Sequence, residues 1–542
     1  MSIFERILAA RKITPAERAA FLSPDYSKRH DPFLLPDMEK AVTRLEQARE
    51  KQERITIYGD YDIDGLTATS VLLDAFASFG FEHVEAFIPN RFVEGYGLSI
   101  DAVERIAAEG AQLIVTVDCG SLSHKEIERA NELGVDVIVT DHHNVADTPP
   151  PAVATINPKR ADHSYPFIDL AGVGVAFKLV QALQTRLTGL PIGQEKWLLD
   201  LVALGTVCDI VTLKDENRTN VFYGLRVMAK TRRPGIKALM AVSAVEPKTL
   251  NARSLGFALG PRMNAAGRLE TAQYALDMLT THDPEHALEK AQQLDQLNKQ
   301  RRAEQDEIFK AAIVQAEALA ADPVLVVSHP DWNHGIVGIV AAKLLEKYQK
   351  PAFVLQEMGE TSKGSARSYG DFSAAEAIKA AHDVITKGGG HKLAAGVTMP
   401  TKNIEQFRRR VNDFYHEQKL FDQQKLLLPR ADVDARFDEL DETLVNYIAT
   451  LEPFGQGNPQ PVLRTAQALV LGCKVMGADG QHVKLTFKDD SGRTLSCIAF
   501  SAPKHYFCEP GEYADIWYQI DINEWQGRRS VEGRLLHLEP IA

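Results

Sequence analysis

Four short apolar runs set the pattern of the chain between residues 54 and 213. Each run is continuous and rich in β-branched residues, as is typical of strands buried on both faces of a parallel sheet. They cover 55–58, 84–88, 113–117 and 135–139. Stretches with helical spacing separate the runs, and one of them opens with Ser123 and Glu126 at the spacing of a capping box. This alternation predicts a doubly wound α/β domain.

The pattern changes three times along the rest of the chain. Residues 284–321 predict one long helix of about 55 Å at 1.5 Å per residue. A second α/β pattern follows from residue 323, and short alternating strands after residue 430 predict a small β-barrel. We therefore expect an α/β multidomain protein in five parts, namely an N-terminal helical cap (1–50), a parallel-sheet domain (51–225), a helical connector (226–321), a smaller α/β domain (322–420) and a barrel (428–542).

Composition narrows the class of protein without defining a function. A chain of 542 residues exceeds what one core usually holds. It has no apolar run near the roughly 18 residues of a membrane span and no signal-peptide pattern at its N-terminus, so we expect a cytoplasmic protein that does not bind membranes. The five cysteines lack CxxC spacing, which argues against a disulfide framework and a zinc ribbon. A net charge of −12 means that any polyanionic substrate must meet a local basic surface.

Acidic and histidine side chains follow the predicted strands at the point where each strand ends. The carboxyl ends of parallel strands meet at one edge of a sheet, so side chains that follow them are expected to lie together. An Asp-rich turn is the alternative for the first segment alone, but the arrangement recurs three times downstream. The residues are Asp60, Asp62 and Asp64 after the first strand, Asp118 after the third, Asp141, His142 and His143 after the fourth, and Asp209 after a helix.

Carboxylates and imidazoles crowded at one edge predict a metal site. Hard oxygen ligands with imidazole suit Mn²⁺ or Mg²⁺ better than a metal that prefers thiolates. About six carboxylates would leave much charge uncompensated around one ion, so two divalent ions are expected. Two such ions roughly 3.5–4 Å apart activate water and clamp a phosphate for in-line displacement. The residues therefore predict a two-metal phosphoesterase.

The same residues carry a family resemblance. The segments 60–65, 117–120 and 141–143, with Asp209, resemble the four ordered motifs of the DHH phosphoesterase superfamily. Gly388–Gly396 resembles the glycine-rich segment of the companion DHHA1 domain, and 259–269 and 451–459 resemble stretches typical of the bacterial RecJ family. The resemblance implies a DHH domain and a DHHA1 domain joined by the long helix, followed by an OB-fold. It also implies a single-stranded-DNA-specific 5′→3′ exonuclease that releases 5′ mononucleotides in DNA repair and recombination.

The resemblance also implies roles for the clustered side chains. Asp118 would bridge the two ions. Asp62, with Asp60 as a further candidate, would bind one ion, while Asp64, His142 and Asp209 would bind the other. Asp141 and His143 are either ligands and catalytic groups themselves or groups that orient a ligand. A partly buried structural histidine is the alternative for His143.

Substrate contacts are expected in the second α/β domain. Glycines permit close backbone approach, and Arg or His side chains donate to phosphate oxygens. The candidates are Arg367, Gly389, Gly390, His391, His334 and Arg268. Three cations in the long helix, Lys299, Arg301 and Arg302, lie either on a solvated face or beside a DNA groove.

The barrel has its own candidates for binding a single strand. Phe487, Phe500, Trp517 and Trp525, with Arg528 and Arg529, are expected to supply a stacking platform, although about half of these aromatic rings should be core.

Single-strand-binding protein and a helicase are the partners implied by the resemblance, and we expect a monomer. The alternatives are a small-substrate DHH phosphodiesterase, an inactive scaffold and a pyrophosphatase.

Overall fold

The computed structural model describes residues 1–418, 427–477, 480–525 and 527–541, without the side chain of Trp525. The chain forms two compact units. One contains Met1–Asn264, Ala272–Gln292 and Pro429–Ala542, and the other contains Ala265–Thr271 and Gln293–Leu428. Most of the stretch between the predicted smaller α/β domain (322–420) and the predicted barrel (428–542) lies outside the described residues. Among the described residues, no helix combines the length and the apolar composition that crossing a membrane requires.

Three helices precede the first sheet: α1 (Ile3–Ala10), α2 (Pro15–Leu22) and α3 (Met38–Glu50). Capping boxes begin α1 and α2, with Ser2 paired to Glu5 and Thr14 paired to Glu17. Helix α3 buries Met38, Ala41, Val42, Leu45 and Ala48, which lie at helical spacing on one face.

The first sheet is parallel throughout, which confirms the predicted α/β class. Its strands run in the order β2-β1-β3-β4-β5. Two expectations fail in detail. Strand β2 is an edge strand and half-exposed, and Ser123 precedes α6 without making a capping hydrogen bond. The elements are β1 (Ile55–Tyr58), α4 (Ile63–Phe79), β2 (Val84–Phe87), α5 (Ile100–Ala108), β3 (Leu113–Val117), α6 (His124–Glu132), β4 (Asp136–Thr140), β5 (Ala154–Ile156) and α7 (Gly172–Leu183).

Helices fill the next part of the chain. They are α8 (Leu199–Cys208), α9 (Asp215–Met228), α10 (Pro234–Val242), α11 (Ala252–Ser254), α12 (Gly260–Leu269), α13 (Gln273–Thr280) and α14 (Pro284–Ala318). The predicted long helix is confirmed as α14, whose 35 residues span about 52 Å. The solvated-face interpretation was wrong for Arg301, because it is buried and donates to Asn298 at 2.6 Å and to Gln305 at 2.7 Å. A position of this helix beside a DNA groove stays a prediction. Lys299 is exposed and pairs with Asp295.

The second sheet is mixed and runs in the order β6-β7-β8-β10-β9. Strands β6 and β7 are parallel, and the other neighbours are antiparallel. Alternate strand residues face two different apolar clusters, so Phe353 packs with Phe407 while Val354 packs with Leu344. The elements are β6 (Leu325–His329), α15 (Val337–Tyr348), β7 (Ala352–Met358), β8 (Thr361–Arg367), α16 (Ala374–Ala380), β9 (Lys387–Gly390), β10 (Ala394–Pro400) and α17 (Ile404–Glu417).

The last sheet closes on itself, which confirms the barrel. Strands β12, β13, β14, β16 and β15 pair in that order, and β15 pairs back to β12. Of the predicted platform, Phe487 is fully buried in the core and was wrongly placed, whereas 60% of Phe500 is exposed. The elements are β11 (Val433–Asp434), α18 (Glu442–Ala449), β12 (Leu463–Met476), β13 (His482–Lys488), β14 (Thr494–Ala499), β15 (Tyr513–Trp525) and β16 (Arg528–Ile541).

Helix α1 belongs to the core of this barrel. Ile3, Ile7 and Leu8 lie in one apolar cluster with barrel residues such as Phe487 and Tyr518. The guanidinium of Arg11 binds the carboxylate of Asp432 at 2.8 Å beside them. The N-terminal helix and the C-terminal barrel therefore share one hydrophobic core.

Candidate metal centre

The predicted acidic residues meet at the carboxyl edge of the parallel sheet. Asp118 directly follows β3, and Asp141 directly follows β4. Asp60 lies two residues after β1, and Asp62 is the N-cap residue of α4. Asp209 arrives from another direction as the C-cap residue of α8. The sheet order places β1, β3 and β4 side by side, so three strand ends supply one site.

Among the described residues, three groups of side chains bring possible ligand atoms within 4.8 Å of one another. These groups are Asp60, Asp62 and Asp118; Asp64, His142 and Asp209; and Asp118, His142 and His143. Asp118 belongs to two groups, and so does His142. The three groups therefore form one continuous cluster with Asp118 and His142 at its centre.

Two helix N-termini hold the carboxylates in place. One oxygen of Asp62 accepts the amides of Asp64 at 2.9 Å and Gly65 at 3.1 Å, which caps α4. The carboxylate of Asp64 accepts the amides of Gly172 at 2.6 Å and Val173 at 2.8 Å at the start of α7. The partial positive charge of a helix N-terminus stabilises such carboxylates.

The cluster is packed so closely that glycine is required beside it. A Cβ on Gly172 would lie 2.6 Å from a carboxylate oxygen of Asp118, and one on Gly65 would lie 2.5 Å from the backbone nitrogen of Asp60. Asp118 has a φ of 61°, which is uncommon for a residue other than glycine. Strained backbone of this kind clusters at functional sites.

Burial and mutual repulsion control the protonation of the cluster. Burial, followed by the charge of Asp62, raises the pKa of Asp64 to about 7. Burial, followed by the charge of Asp64, raises the pKa of Asp209 to about 9, and the pKa values of Asp60 and Asp118 rise for the same reasons. Burial, with the charge of His143, lowers the pKa of His142 to about 3. The cluster therefore favours added positive charge and a neutral imidazole.

Several polar atoms in the cluster are buried without a hydrogen-bond partner. They are one carboxylate oxygen each of Asp60 and Asp118 and the Nε2 atom of His142. The Asp118 oxygen lies 3.1 Å from that Nε2 atom. Buried polar atoms are nearly always satisfied, so these three point to a ligand. Carboxylate oxygens and a neutral imidazole fit divalent Mn²⁺ or Mg²⁺.

Asp141 differs from its neighbours because its carboxylate is already occupied. One oxygen accepts the amides of His142 at 2.7 Å and His143 at 3.0 Å and also binds the Nδ1 atom of His143 at 2.9 Å. The other oxygen accepts the amide of Ser121 at 3.0 Å. Burial alone would raise the pKa of Asp141, but the hydrogen bonds from His143 hold it below its usual range. Asp141 lies in none of the three groups, which fits an orienting role.

Sequence reasoning missed two side chains at this edge. The guanidinium of Arg91 lies 4.2 Å from the centre of the Tyr61 ring, and its charge opposes the rise in the pKa of Asp60. The ring of Tyr96 packs edge-on against His143 with the ring centres 5.4 Å apart. Both follow β2, whose carboxyl end lies beside that of β1. A search for cations and aromatic residues after every predicted strand would have found them.

The second unit gathers the predicted substrate-binding residues around α15. Arg268 donates to the carbonyl of Gly335 at 3.0 Å, and Nδ1 of His334 lies 2.9 Å from the side-chain oxygen of Gln356. Arg367 packs so closely over Gly338 that a Cβ there would lie 3.3 Å from its guanidinium. Burial lowers the pKa of Arg367. A half-buried guanidinium near a helix N-terminus is suited to an anion.

The glycine-rich segment forms the exposed edge of this sheet. Gly389, Gly390 and His391 are all exposed, and the amide of His391 donates to the carbonyl of Ala394 at 2.8 Å to close the turn. Gly390 has a φ of 143°, and a Cβ there would meet Ala394 and Ala395. A Cβ on Gly389 would meet nothing within 4 Å. Close packing and a positive φ therefore explain why position 390 is glycine, whereas no packing contact within the described chain requires glycine at position 389.

The protein without metal is expected to lose stability as the pH rises from about 4 to 9. The folded chain keeps protons on Asp64 and Asp209 with pKa values of about 7 and about 9, whereas unfolded Asp releases them near pH 3.9. The unfolded state binds fewer protons in this interval, so the free energy of unfolding falls as the pH rises. Thermal unfolding in EDTA across this range measures the effect.

The variant Asp209→Asn provides the control, because it removes the carboxyl with the higher of these two pKa values. It should lose less stability than the unaltered chain between pH 5 and 9. Mn²⁺ should bind the unaltered chain more tightly as the pH rises, since these carboxyls must lose protons to bind it. Equal pH dependence of stability in the two proteins would contradict the assignment.

Three segments of the chain match known families. Residues 54–206 match the DHH family, N-terminal domain; residues 321–417 match the DHHA1 domain; and residues 431–537 match the RecJ OB domain.

Curated relatives extend the similarity to most of the chain. It is 36% identical over 530 residues to the single-stranded-DNA-specific exonuclease RecJ of Escherichia coli K12, covering 94% of this chain and 91% of that protein. It is 37% identical over 529 residues to the RecJ of Bacillus subtilis strain 168, covering 96% of this chain but 66% of that longer protein.

Solved structures agree with this relationship. RecJ from Thermus thermophilus in complex with Mn²⁺ has a TM-score of 0.81 and 28% identity, covering 99% of this chain and 78% of that one. The same protein in complex with Mg²⁺ has a TM-score of 0.75 and 26% identity, covering 99% and 77%. The fold, the ordered motifs and the curated relatives agree with the resemblance read from the sequence. The chain belongs to the RecJ family of single-stranded-DNA-specific exonucleases.

Proposed function

We propose that this chain hydrolyses single-stranded DNA from its 5′ end and releases 5′ mononucleotides. The observation that carries the proposal is the cluster at the sheet edge, where three buried polar atoms of Asp60, Asp118 and His142 lack partners. Its groups fit two divalent ions, Mn²⁺ or Mg²⁺, and relatives of the family have been solved in complex with each of these metals.

The three groups of side chains suggest which residues would bind each ion. Asp60 and Asp62 would hold one ion, and Asp64, His142 and Asp209 would hold the other, with Asp118 between them. When bound, two such ions supply an activated water and offset the charge that develops on the phosphate. Asp141 fixes the backbone and ring of His143, so that imidazole faces the cluster in one orientation.

The second unit would supply the groups that bind the strand. The guanidinium of Arg367 lies beside Gly338 in the first turn of α15, so a phosphate bound there would meet both the guanidinium and the backbone amides of the helix start. His334 and Arg268 lie beside the same helix start. Gly389, Gly390 and His391 form an exposed edge that a backbone or base can approach closely. In the barrel, Phe500 and the half-buried Trp517, whose ring lies near Arg464, are the described aromatic residues available for stacking.

Several broader predictions accompany this function. The division of the chain at residues 50, 225, 321 and 420–428 stays a prediction, as do cytoplasmic location and a monomeric state. Single-strand-binding protein and a helicase are proposed partners, because an exonuclease specific for single strands needs a source of unpaired DNA.

The test is a degradation assay on end-labelled single strands with Mn²⁺, Mg²⁺ or EDTA. Metal-dependent release of mononucleotides from the 5′ end, with a blunt duplex spared, is the expected result. Cleavage of dinucleotides without action on long strands would instead indicate a small-substrate phosphodiesterase. Binding without cleavage in any metal would indicate an inactive scaffold, and hydrolysis of pyrophosphate alone would indicate a pyrophosphatase.

A further inference from the structure

The turn after β5 lies beside the metal cluster. Strand β5 pairs in parallel with β4, so Ile156 stands opposite Thr140. The amide of Asp141 donates to the carbonyl of Ile156 at 3.1 Å. Residues 157–159 therefore leave the sheet next to the segment that carries His142 and His143.

Asn157 ties this turn to the two neighbouring strand ends. Its side chain is fully buried, and its amide donates to the hydroxyl of Ser121 at 2.8 Å and to the carbonyl of His143 at 3.0 Å. Its side-chain oxygen accepts the amide of Lys159 at 2.9 Å. The first two contacts reach the loops after β3 and β4, and the third lies within the turn itself, so Asn157 fixes the start of Lys159 relative to His143.

Lys159 places a positive charge on the turn that Asn157 holds beside His143. The residue is exposed, and within the described chain its ammonium group forms no ion pair. Its charge reaches Asp209 and His142, where it acts to lower both pKa values. The next residue behaves differently, because Arg160 binds Asp37 at 2.6 Å.

Two cations thus lie on loops that leave the same edge of the sheet as the cluster residues, Arg91 after β2 and Lys159 after β5. Arg91 acts on Asp60, and Lys159 acts on Asp209 and His142. A cation that only balanced these carboxylates would gain most from a direct ion pair with one of them. Lys159 remains in solvent instead, where a phosphate can reach its ammonium group.

We propose that Lys159 contacts a phosphate of the bound strand beside His143 of the cluster, and that Asn157 positions it. This inference rests on the proposed function, since it needs a polyanionic strand as substrate. The ammonium group acts as a point charge on the phosphate and takes no part in bond cleavage. Lys159 is therefore a substrate-binding residue, and Asn157 is a positioning residue.

The test compares Lys159→Met and Lys159→Arg with the unaltered chain. Binding of a labelled single strand is measured by anisotropy in EDTA at several salt concentrations. Lys159→Met should weaken binding about five- to tenfold and reduce the slope of log affinity against log salt by about 0.7, because one phosphate contact is lost. Lys159→Arg should retain the slope. With Mn²⁺, Lys159→Met should raise KM more than it lowers kcat.

A matched control and a second variant complete the design. Lys248 is exposed on a short turn outside the cluster, and Lys248→Met should leave strand affinity and salt slope unchanged. Asn157→Ser should raise KM as Lys159→Met does, and combining the two changes should add little to the rise in KM.

The outcomes separate this inference from the proposed function. If Lys159 only balances the carboxylates, Lys159→Met should bind Mn²⁺ more tightly in calorimetry and keep normal strand affinity and salt slope, which would overturn the inference. Failure of the unaltered chain to degrade single strands would instead refute the proposed function.

Discussion

Replacing Asp118 with asparagine is expected to lower hydrolysis of single strands by roughly three orders of magnitude. Asp118 belongs to two of the three groups, so its loss removes a ligand from both halves of the cluster. The neutral amide has nearly the same shape and relieves repulsion among buried carboxylates. The metal-free variant should therefore melt at a higher temperature than the unaltered chain, while Mn²⁺ binding in calorimetry weakens.

Asp101→Asn is the matched control for this change. Asp101 is an exposed residue in the first turn of α5, and its loss should alter neither hydrolysis nor Mn²⁺ binding. Hydrolysis by Asp118→Asn within tenfold of the normal rate, with Mn²⁺ present, would rule out a role for Asp118 between the two ions.

Replacing Arg218 with methionine is expected to cost on the order of 3 kcal/mol in the free energy of unfolding. Arg218 is 4% exposed and has no carboxylate partner in the described chain. Its guanidinium instead donates to the carbonyls of Phe21 at 3.0 Å, Glu452 at 2.8 Å and Pro453 at 3.4 Å. Burial lowers its pKa to about 10. Methionine fills the space but removes the donor to these three carbonyls, of which only that of Pro453 keeps a side-chain donor among the described residues, from Asn458.

Arg226 on the same helix provides the comparison. It is exposed and donates to the carbonyl of Phe222 within α9, so Arg226→Met should cost about 0.5 kcal/mol or less. Chemical denaturation of both variants gives the two values. A cost for Arg218→Met no larger than that of Arg226→Met would show that its three contacts contribute nothing net.

Strands that are continuously apolar and fully buried were predictable from the sequence. The bounds 55–58 and 113–117 match β1 and β3, because short continuous runs of β-branched residues are typical of buried parallel strands. Strand β5 was missed because three residues carry no usable periodicity. Because β5 was not predicted, the contacts of Asn157 with Ser121 and His143 were not predicted either, since they require β5 to pair with β4.

The acidic cluster was predictable for a different reason. Each carboxylate follows a recognisable strand or helix, so topology alone brings them to one edge. Contacts between distant segments carry no such signal. The burial of Arg301 and the bonds of Arg218 to Glu452 and Pro453 depend on packing that local spacing does not encode. The acidic residues of the candidate metal site were therefore predictable from the sequence, whereas the buried contacts of Arg301 and Arg218 were not.

The core shared by α1 and the barrel has a consequence for biosynthesis. The apolar face of α1 leaves the ribosome about 420 residues before β11. Synthesis proceeds at roughly 5–20 residues per second, so on the order of 20–80 seconds pass before the barrel residues that pack on Ile3, Ile7 and Leu8 have been made. The parallel sheet can form during that delay, but the barrel cannot bury these side chains until synthesis is nearly complete. Nascent chains therefore expose an apolar segment that a chaperone can bind.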